Sequence, residues 1–225
     1  ILPSWCDSHS HVVYAGDRSQ EFVDRLNGLS YQEIAANGGG ILHSAETLQN
    51  TSETALYAQS VQRVKELIKL GTGALEIKSG YGLSTESELK MLRVIKTIGE
   101  KLPLKVKATF LGAHAIPKKY KTDKTVYIDL IINTMLPEIH HQKLADFIDV
   151  FCEKGYFSLE DTEQILEAAT RYGLVPKIHV NQFNAFGGVG LGVRYKALSV
   201  DHLEVLNDDD LDVLKNSDTM PVALP

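Results

Sequence analysis

The chain has 225 residues, of which 23 are Lys or Arg and 29 are Asp or Glu, and its formal net charge is −6. Hydrophobic residues make up 44% and charged residues 23%, values that are typical of globular proteins and exclude a disordered, collagen-like or coiled-coil chain. The acidic balance argues against a nucleic-acid partner, because phosphate binding needs clustered Lys and Arg.

The two cysteines, Cys6 and Cys152, lie far apart in the sequence. They form no Cys-x-x-Cys motif, so neither a disulfide framework nor a cysteine-based zinc site is expected. No apolar run reaches the ~18–20 residues that a membrane span needs, and the first residues do not have the charged start of a signal peptide. The sequence therefore predicts a cytoplasmic protein without a membrane partner.

Short apolar runs alternate with stretches of helical period along the whole chain. The opening segment from Trp5 to His11 is the first predicted strand. Six further strands are predicted at 74–78, 106–111, 147–152, 175–180, 198–200 and 221–224. Strands that alternate with helices favour a parallel sheet that is covered by helices on its outer side.

Three of the intervening helices have clear boundary signals. One helix is predicted from Glu53 to Leu70, because Gly71 then ends it. Thr85 and Glu88 have the spacing of a capping box ahead of an apolar stretch, which predicts a second helix with Thr85 as its N-cap. Ser158 precedes an acidic first turn and predicts the start of the third helix.

About seven predicted strands are close to the eight of a closed (β/α) barrel, which has ~250 residues. We therefore predict an α/β fold of the (β/α)8 TIM-like barrel type, in which residues 1–225 form one incomplete catalytic barrel domain. The chain begins at Ile1 without Met and ends at Pro225 inside an apolar run. The last strand of the barrel is accordingly expected to follow Pro225.

Two histidines close the first predicted strand, in the segment Asp7-Ser8-His9-Ser10-His11. Residues two apart on a strand point to the same face, so His9 and His11 project together, and in a barrel that face can be the interior. A pair of exposed or hydrogen-bonded histidines without a metal explains this motif, taken alone, equally well.

Three other histidines, His114, His179 and His202, follow predicted strands. Five of the eight histidines in the chain thus fall at the carboxyl ends of strands, where the active sites of such barrels lie. Zinc and iron bind imidazole nitrogen readily, so His9, His11 and His179 are a candidate ligand set for one Zn²⁺ or Fe³⁺ ion. One carboxylate ligand would still be missing from this set.

Seven segments of the chain then point to a known family. They are, in order, Asp7-Ser8-His9-Ser10-His11, Ala15-Gly16-Asp17-Arg18, Lys78-Ser79-Gly80-Tyr81-Gly82-Leu83, Leu89-Lys90-Met91-Leu92-Arg93, Phe110-Leu111-Gly112-Ala113-His114, Lys177-Ile178-His179 and Asp201-His202-Leu203-Glu204. Together they resemble the imidazolonepropionase family of the amidohydrolase superfamily, over the whole of this chain. The His-x-His motif alone would indicate only the superfamily, whereas the Lys-Ser-Gly-Tyr-Gly and Gly-Ala-His segments are far more selective.

The resemblance implies hydrolysis of the cyclic amide of 4-imidazolone-5-propanoate to N-formimidoyl-L-glutamate, a step of histidine degradation. It implies that His9, His11 and His179 ligate a zinc or iron ion. His202 matches the histidine near the metal-bound water and is expected to orient or deprotonate that water. His114 is expected to hydrogen-bond the substrate ring or to polarise its carbonyl.

The same resemblance implies contacts with a small-molecule substrate. Arg18, Tyr31, Tyr81 and His114 match positions that contact substrate in the family. The guanidinium of Arg18 offers a planar fork of donors to the propanoate carboxylate, and Tyr81 can add a hydroxyl. Gln182 cannot act as a base, so we expect it to hydrogen-bond the ring.

The resemblance also implies that the chain is the central part of the enzyme. The fourth metal ligand, an Asp after the eighth strand, would then follow Pro225, and the β-rich segments that flank the barrel in the family would lie outside this chain. These residues alone are not expected to turn over substrate. The sequence leaves the oligomeric state open, and a homodimer is one hypothesis.

Three alternatives stay open at the level of sequence. The first is another cyclic amidohydrolase or a deaminase, because a shared fold does not fix the substrate. No lysine that could be carbamylated ends the strand at 147–152, which favours one metal ion over two. The second is a metal-free binding protein on a degenerate barrel. The third is an open barrel whose exposed strand edges are stabilised by a partner.

Overall fold

Seven parallel strands form one sheet in the computed structural model, which describes residues 2–30, 33–34 and 39–224. Each strand pairs with the next one along the chain. The strands are β1 (Trp5–Ser10), β2 (Thr72–Lys78), β3 (Lys105–Ala113), β4 (Phe147–Cys152), β5 (Val175–Val180), β6 (Ser199–His202) and β7 (Met220–Ala223).

Helices connect successive strands, as parallel pairing requires. In the described ranges they are α1 (Ser19–Leu26), α2 (Gly40–Gln49), α3 (Glu53–Lys69), α4 (Thr85–Lys101), α5 (Lys124–Leu130), α6 (Leu136–Gln142), α7 (Leu159–Arg171), α8 (Gly188–Arg194) and α9 (Asp208–Lys215). A 3₁₀ turn at Lys118–Tyr120 precedes α5, and a π-helical segment at Ile131–Met135 joins α5 to α6.

The sheet curls so that its first strand approaches its fifth and sixth. The Nδ1 atom of His9 on β1 lies 2.7 Å from the Oδ2 atom of Asp201 on β6. The Nζ atom of Lys177 on β5 lies 3.2 Å from the backbone oxygen of Ser8 on β1. Contacts between strands that are four and five places apart in the sheet are possible only if the sheet bends strongly.

The two faces of the strands differ in chemistry. On the outer face, residues such as Leu75, Ile77 and Ile148 belong to one apolar core with the helices, for example with Ile95 and Ile165. The alternate residues of the same strands are buried polar or charged groups that face the concave side, which include Glu76, Lys78, Asp149, Lys177, His179 and Asp201. The core therefore lies between sheet and helices, and the concave side is polar.

The capping signals were predicted correctly at one helix. Ser158 accepts a hydrogen bond from the Asp161 backbone, while the Asp161 side chain accepts one from the Ser158 backbone, so a complete capping box begins α7. A helix from Glu53 is also present, although it ends at Lys69 rather than Leu70.

The predicted N-cap of α4 was wrong by one residue. Ser84 is the N-cap, since its side chain accepts from the backbone N–H of Ser87, and Thr85 is already helical. Glu88 does not complete a capping box at this helix, because its carboxylate turns to the loop that follows β2.

The predicted fold class is confirmed as an α/β barrel-type fold with parallel strands. All seven predicted strands are present, and β4 and β5 have the predicted bounds. None of the helices in the described parts of the chain has the length and apolar content that crossing a membrane would require.

Candidate functional site

Five histidines meet at the carboxyl ends of the strands. The ring of His9, on β1, lies 4.6 Å from that of His179, on β5, and 5.3 Å from that of His11, measured between ring centroids. His202, at the end of β6, lies 4.9 Å from His179. His114, directly after β3, stacks on His11 at 5.3 Å.

Three of these histidines could share one cation. His9, His11 and His179 each offer one ring nitrogen, and the three nitrogens lie within 4.8 Å of one another. The Nε2 atom of His179 and the Nδ1 atom of His11 are buried and have no hydrogen-bond partner among the described residues. A buried polar atom without a partner is costly, and a metal ion bound between the rings would satisfy such nitrogens. The donor set therefore fits a metal ion.

Two buried aspartates orient two of the three rings. Asp201 Oδ2 lies 2.7 Å from His9 Nδ1, and Asp149 Oδ2 lies 2.8 Å from His179 Nδ1. Asp149 Oδ1 also accepts the backbone N–H of His179 at 2.9 Å. Because an ionised carboxylate only accepts, Nδ1 of each ring carries the proton and Nε2 keeps a free lone pair.

Beneath the histidines lies a set of charged groups, which we call the polar floor: Glu76, Lys78, Asp149, Lys177 and Asp201. The Nζ atom of Lys78 donates to Asp149 Oδ2 at 2.9 Å and to Glu76 Oε1 at 3.0 Å. Lys177 donates to Ser199 Oγ at 2.7 Å and lies 3.4 Å from Asp201 Oδ2. Every carboxylate of the floor thus has a cation within reach.

The surroundings favour neutral rings of His11, His114 and His179 and an ionised Asp201, whereas burial raises the pKa of Glu76. Burial is the main reason that the pKa values of His11 and His179 lie well below the ordinary value, and neighbouring histidines lower them further. Burial also lowers the pKa of His114, to about 4. Burial alone would raise the pKa of Asp201, but the hydrogen bond from His9 and the charge of Lys78 outweigh it and lower this pKa to about 2. Neutral imidazole is the form that binds metal.

A cavity of about 260 Å³ opens above the histidines. Of the residues predicted for the site, it is lined by His9, His11, Arg18, Tyr81, His114, His179, Gln182 and His202. Phe151 and Phe183 add aromatic walls that the sequence analysis did not predict. Tyr31, the remaining predicted contact, lies outside the described residues. We call Arg18, Tyr81, His114, Gln182 and His202 the rim of the cavity.

The loop after β2 places Tyr81 and His114 on the rim. The buried carboxylate of Glu88 accepts the backbone N–H groups of Gly80, Gly82 and Leu83 at 2.7 to 3.0 Å. Gly80 has a φ of +106°, and a Cβ atom there would lie 2.9 Å from His114 Nδ1. Glycine is therefore required at this position, because the loop must approach His114 closely. This close approach places the carbonyl oxygen of Gly80 at 3.1 Å from His114 Nδ1, within hydrogen-bond distance.

Arg18 reaches the rim from the start of α1. Its Nε atom donates to Glu21 Oε2 at 2.7 Å, and Nη2 donates to the same oxygen. The other oxygen of Glu21 accepts the backbone N–H of Gly40 at 2.9 Å. The guanidinium predicted to bind a substrate carboxylate thus holds a carboxylate of the chain itself in this structure.

His202 occupies a strained position at the end of β6. Its φ is +89°, and that of Leu203 is +63°, which side-chain-bearing residues rarely adopt. The Nδ1 atom of His202 lies 3.0 Å from Glu204 Oε1. The carboxylate fixes the proton on Nδ1, so Nε2 of His202 is a proton acceptor.

The sequence analysis missed the roles of Lys78, Asp149 and Asp201, although a signal for them exists. Each is a charged residue on a strand and lies two positions from a residue that faces the concave side: Glu76 for Lys78, Phe151 for Asp149 and Ser199 for Asp201. The period of two on a strand places such residues on one face.

Relatives of the chain carry the family name that the sequence motifs suggested. No protein-family model matches the chain. The chain is 65% identical over 225 residues to the imidazolonepropionase of Christiangramia forsetii, 63% identical to that of Flavobacterium johnsoniae and 47% identical to that of Burkholderia multivorans. Each alignment covers 100% of this chain and 55% of the relative. The chain therefore spans about half the length of these curated relatives.

Solved structures resemble the fold at low sequence identity. A 5-methylcytosine deaminase from Klebsiella pneumoniae has a TM-score of 0.70 at 11% identity, covering 98% of this chain and 53% of that chain. A guanine deaminase from C. acetobutylicum has a TM-score of 0.62 at 14% identity, covering 100% of this chain and 54% of its own. An amidohydrolase from Burkholderia ambifaria with bound Zn has a TM-score of 0.58 at 15% identity, covering 96% and 60%.

The two comparisons answer different questions. The relatives, at 47 to 65% identity over the whole chain, confirm the resemblance to imidazolonepropionases. The structures, at 11 to 15% identity, confirm the barrel-type fold and do not favour a deaminase activity, since a shared fold does not fix the reaction.

Proposed function

We propose that the protein containing this chain is an imidazolonepropionase, which hydrolyses 4-imidazolone-5-propanoate to N-formimidoyl-L-glutamate in histidine degradation. The observation that carries the proposal is the meeting of His9, His11 and His179 beneath a cavity that Arg18 and His202 also line. A cyclic amide with an acidic tail needs an activated water at one end and a cation at the other. This cavity offers residues for both.

His9, His11 and His179 would hold one zinc or iron ion, which makes the enzyme metal-dependent. Asp201 and Asp149 keep the Nδ1 protons in place, so that the Nε2 lone pairs of His9 and His179 are available. When bound, such an ion supplies Lewis-acid chemistry and lowers the pKa of water from 15.7 to about 7. The relatives are longer than this chain, so residues outside it can complete the coordination.

His202 is proposed to remove a proton from the attacking water. Its Nδ1 faces Glu204, so the proton is taken up at Nε2, and the carboxylate stabilises the resulting imidazolium. The water oxygen forms a bond to the ring carbonyl carbon, and the bond from that carbon to the adjacent ring nitrogen breaks. The proton on His202 then passes to the nitrogen that leaves, which balances the hydrolysis.

His114 is proposed to orient the substrate ring as a hydrogen-bond acceptor. The carbonyl of Gly80 can only accept, so His114 Nδ1 must be the donor in that contact. Because burial lowers the pKa of His114 to about 4, the ring is neutral near pH 7 and Nε2 can accept a ring N–H. Of the two roles that the resemblance implied, this geometry favours holding the ring over polarising its carbonyl.

Arg18, Tyr81 and Gln182 are proposed to select the substrate. A guanidinium binds a carboxylate through two parallel hydrogen bonds, and Arg18 already binds that of Glu21. The propanoate would exchange with Glu21 on Arg18, while the amide of Gln182 hydrogen-bonds the ring.

The proposal is tested with the protein at its full natural length. We expect the purified protein to contain about one zinc or iron per chain and to open the imidazolone ring, with N-formimidoyl-L-glutamate as product. His179→Ala should lose the metal and lower the ring-opening rate on the order of 10³-fold or more, because the activated water depends on the ion. Metal content is measured by elemental analysis and ring opening by the loss of substrate absorbance.

His141→Ala is the matched control, since His141 is exposed on α6 and lies outside the cavity. It should keep the metal content and rate of the unchanged protein. A His179→Ala variant that retains both the metal and the rate would exclude this function for the site.

A further inference from the structure

One lysine contacts both carboxylates that orient the histidines. Lys78 is the last residue of β2, and its side chain is 0% exposed. Its Nζ atom lies 2.9 Å from Asp149 Oδ2, 3.0 Å from Glu76 Oε1 and 3.6 Å from Asp201 Oδ2. An ammonium has three protons and no lone pair, so it suits a position between three carboxylates.

The oxygens that Lys78 approaches are the same oxygens that hold the imidazoles. Asp149 Oδ2 is shared between Lys78 Nζ and His179 Nδ1, at 2.9 and 2.8 Å. Asp201 Oδ2 is shared between Lys78 Nζ and His9 Nδ1, at 3.6 and 2.7 Å. A single ammonium therefore lies next to the hydrogen bonds that fix two of the three rings.

Lys78 also separates two like charges. Asp149 and Asp201 are both 0% exposed, and a carboxylate pair that is buried without a cation would repel. If the ammonium were lost, Lys177 would still lie 3.4 Å from Asp201 Oδ2, whereas Asp149 would have no lysine partner among the described ion pairs. A change in the position of the Asp149 carboxylate would alter its hydrogen bond to His179.

We infer that Lys78 is a positioning residue for the metal site, which sets the orientation of His9 and His179 through Asp201 and Asp149. The inference rests on the proposed function, because it assumes that these histidines bind a metal ion. It goes beyond that function because Lys78 does not line the cavity and its described hydrogen bonds go to carboxylates, not to a predicted ligand. Its geometric effect on the rings passes through the two carboxylates, and its charge also acts directly on His11 and His179.

Lys177 supports only one side of this arrangement. It lies 3.4 Å from Asp201 Oδ2 and donates to Ser199 Oγ and to the backbone of Ser8. Lys177 can therefore support the orientation of His9 through Asp201. Among the described ion pairs it has none with Asp149, which pairs with Lys78 instead. Lys78 is therefore the residue that couples the two rings.

The test compares Lys78→Met with Lys90→Met in the protein at its full natural length. Lys90 is a matched control because it is also buried, at 9% exposure, but its Nζ donates to the carbonyl oxygens of Leu48 and Thr51 at the end of α2. Zinc affinity is measured by competition with a chromophoric chelator. We expect Lys78→Met to weaken zinc binding by about 10-fold and by no more than about 100-fold, because it disturbs the carboxylates that hold the ligand rings, and loss of such a carboxylate itself usually costs about 10- to 100-fold. Lys90→Met should change it by less than about threefold.

If Lys78 only stabilised the fold, its replacement would leave the tautomers of His9 and His179 unchanged. Nitrogen NMR of the metal-free protein should show protonated Nδ1 on His9 and His179 in the unchanged chain, and a mixture of tautomers in Lys78→Met. Zinc affinity and tautomers that are the same in Lys78→Met and the unchanged protein would overturn the inference while leaving the proposed function intact. An unchanged protein that binds neither zinc nor iron would overturn both.

A second measurement covers the case in which Lys78→Met does not fold. In the unchanged protein labelled with ¹⁵N, the ammonium signal of Lys78 should shift when zinc is added, because zinc binding tightens the His–Asp contacts that it shares. The signal of Lys90 should stay in place. A Lys78 signal that does not respond to bound zinc would also overturn the inference.

Discussion

The floor and the rim of the cavity differ in where their residues come from and in what they contact. The floor residues lie on strands, as Asp149 lies within β4, and their side chains contact one another across the concave side of the sheet, as Lys78 on β2 contacts Asp149 on β4. Rim residues lie on loops or at strand ends, and Arg18 is 34% exposed. The floor is fixed by ion pairs and hydrogen bonds between buried side chains of several strands, whereas Arg18 on the rim is partly exposed and pairs with the nearby Glu21.

This difference separates two tasks. In the proposed function, the floor supports metal binding, because it fixes the Nδ1 protons of His9 and His179. In the proposed function, the rim selects the substrate through Arg18 and takes up the proton of the attacking water at His202, and both residues line the cavity. Changes to the floor should therefore affect both folding and metal binding, and changes to the rim should affect kinetics alone.

The largest effect is expected for Asp149→Ala, which removes the buried carboxylate that contacts both Lys78 and His179. Lys78 would lose its nearest carboxylate and His179 would lose two hydrogen bonds. Removal of one partner from a buried charge pair costs about 3–5 kcal/mol of unfolding free energy. Urea denaturation should show this loss, and zinc affinity should fall with it.

Asp146→Ala is the matched control for Asp149→Ala. Asp146 precedes β4 and pairs with Lys107, where both side chains are more than a third exposed. We expect a loss of about 1–2 kcal/mol, because the exposed ion pair contributes little and the hydrogen bond from the Ala108 backbone to Asp146 Oδ2 contributes about 1 kcal/mol. The zinc affinity should stay unchanged. If the two variants lost equal unfolding free energy and equal zinc affinity, the floor would not differ from other ion pairs of the sheet.

The next largest effect is expected for His202→Ala on the rim. Loss of a general base lowers the rate by about 10²- to 10⁴-fold. Zinc binding should stay within about threefold of the unchanged protein, since His202 is not one of the three proposed ligands. Steady-state kinetics and chelator competition measure the two quantities. A His202→Ala variant that loses both its zinc and its activity would show that His202 is needed for metal binding, as the floor residues are.

A smaller effect is expected for Arg18→Met, and it should depend on the substrate. The value of kcat/KM for 4-imidazolone-5-propanoate should fall by about 10- to 100-fold, because a charged hydrogen-bonded pair contributes about 1.5–3 kcal/mol. An imidazolone with an uncharged alkyl chain should lose less than about threefold. Kinetics with both compounds checks this difference.

Arg93→Met is the control for the loss of an arginine as such. Arg93 pairs with Glu53 through Nε at 2.9 Å and Nη2 at 2.8 Å, but it lies on α4 and away from the cavity. It should leave kcat/KM unchanged for both compounds. If Arg18→Met slowed the two compounds equally, Arg18 would support the fold and not the selection of substrate.

The sequence predicts the local features of this molecule well. The bounds of β4 and β5 follow from apolar runs between polar residues, and they agree with the structure. The rule that parallel strands align their carboxyl ends also predicts that strand-end histidines approach one another. The strand bounds depend on residues within a few positions of each strand, and the approach of the histidines depends on the general geometry of parallel sheets.

The contacts between distant strands could not be predicted in the same way. His9 and Asp201 are 192 positions apart, and Lys78 and Asp149 are 71 apart. A charged residue within a strand is ordinarily exposed, so its burial becomes evident only when the curl of the sheet brings a partner of opposite charge. Which ring nitrogen carries the proton depends on these contacts, and it was therefore outside the reach of the sequence.

The smallest effect is expected at the capping box of α7, which the sequence did predict. Ser158→Ala removes the side-chain acceptor for the Asp161 N–H at 3.2 Å, and loss of such a cap costs about 1 kcal/mol. Because α7 packs on the outer face of the sheet, this loss should lower the unfolding free energy in urea without changing zinc affinity. Ser52→Ala, at the N-cap of α3, is the matched variant and should behave alike. A change in zinc affinity beyond about threefold in Ser158→Ala alone would show that the floor depends on helix packing as well as on its own charge pairs.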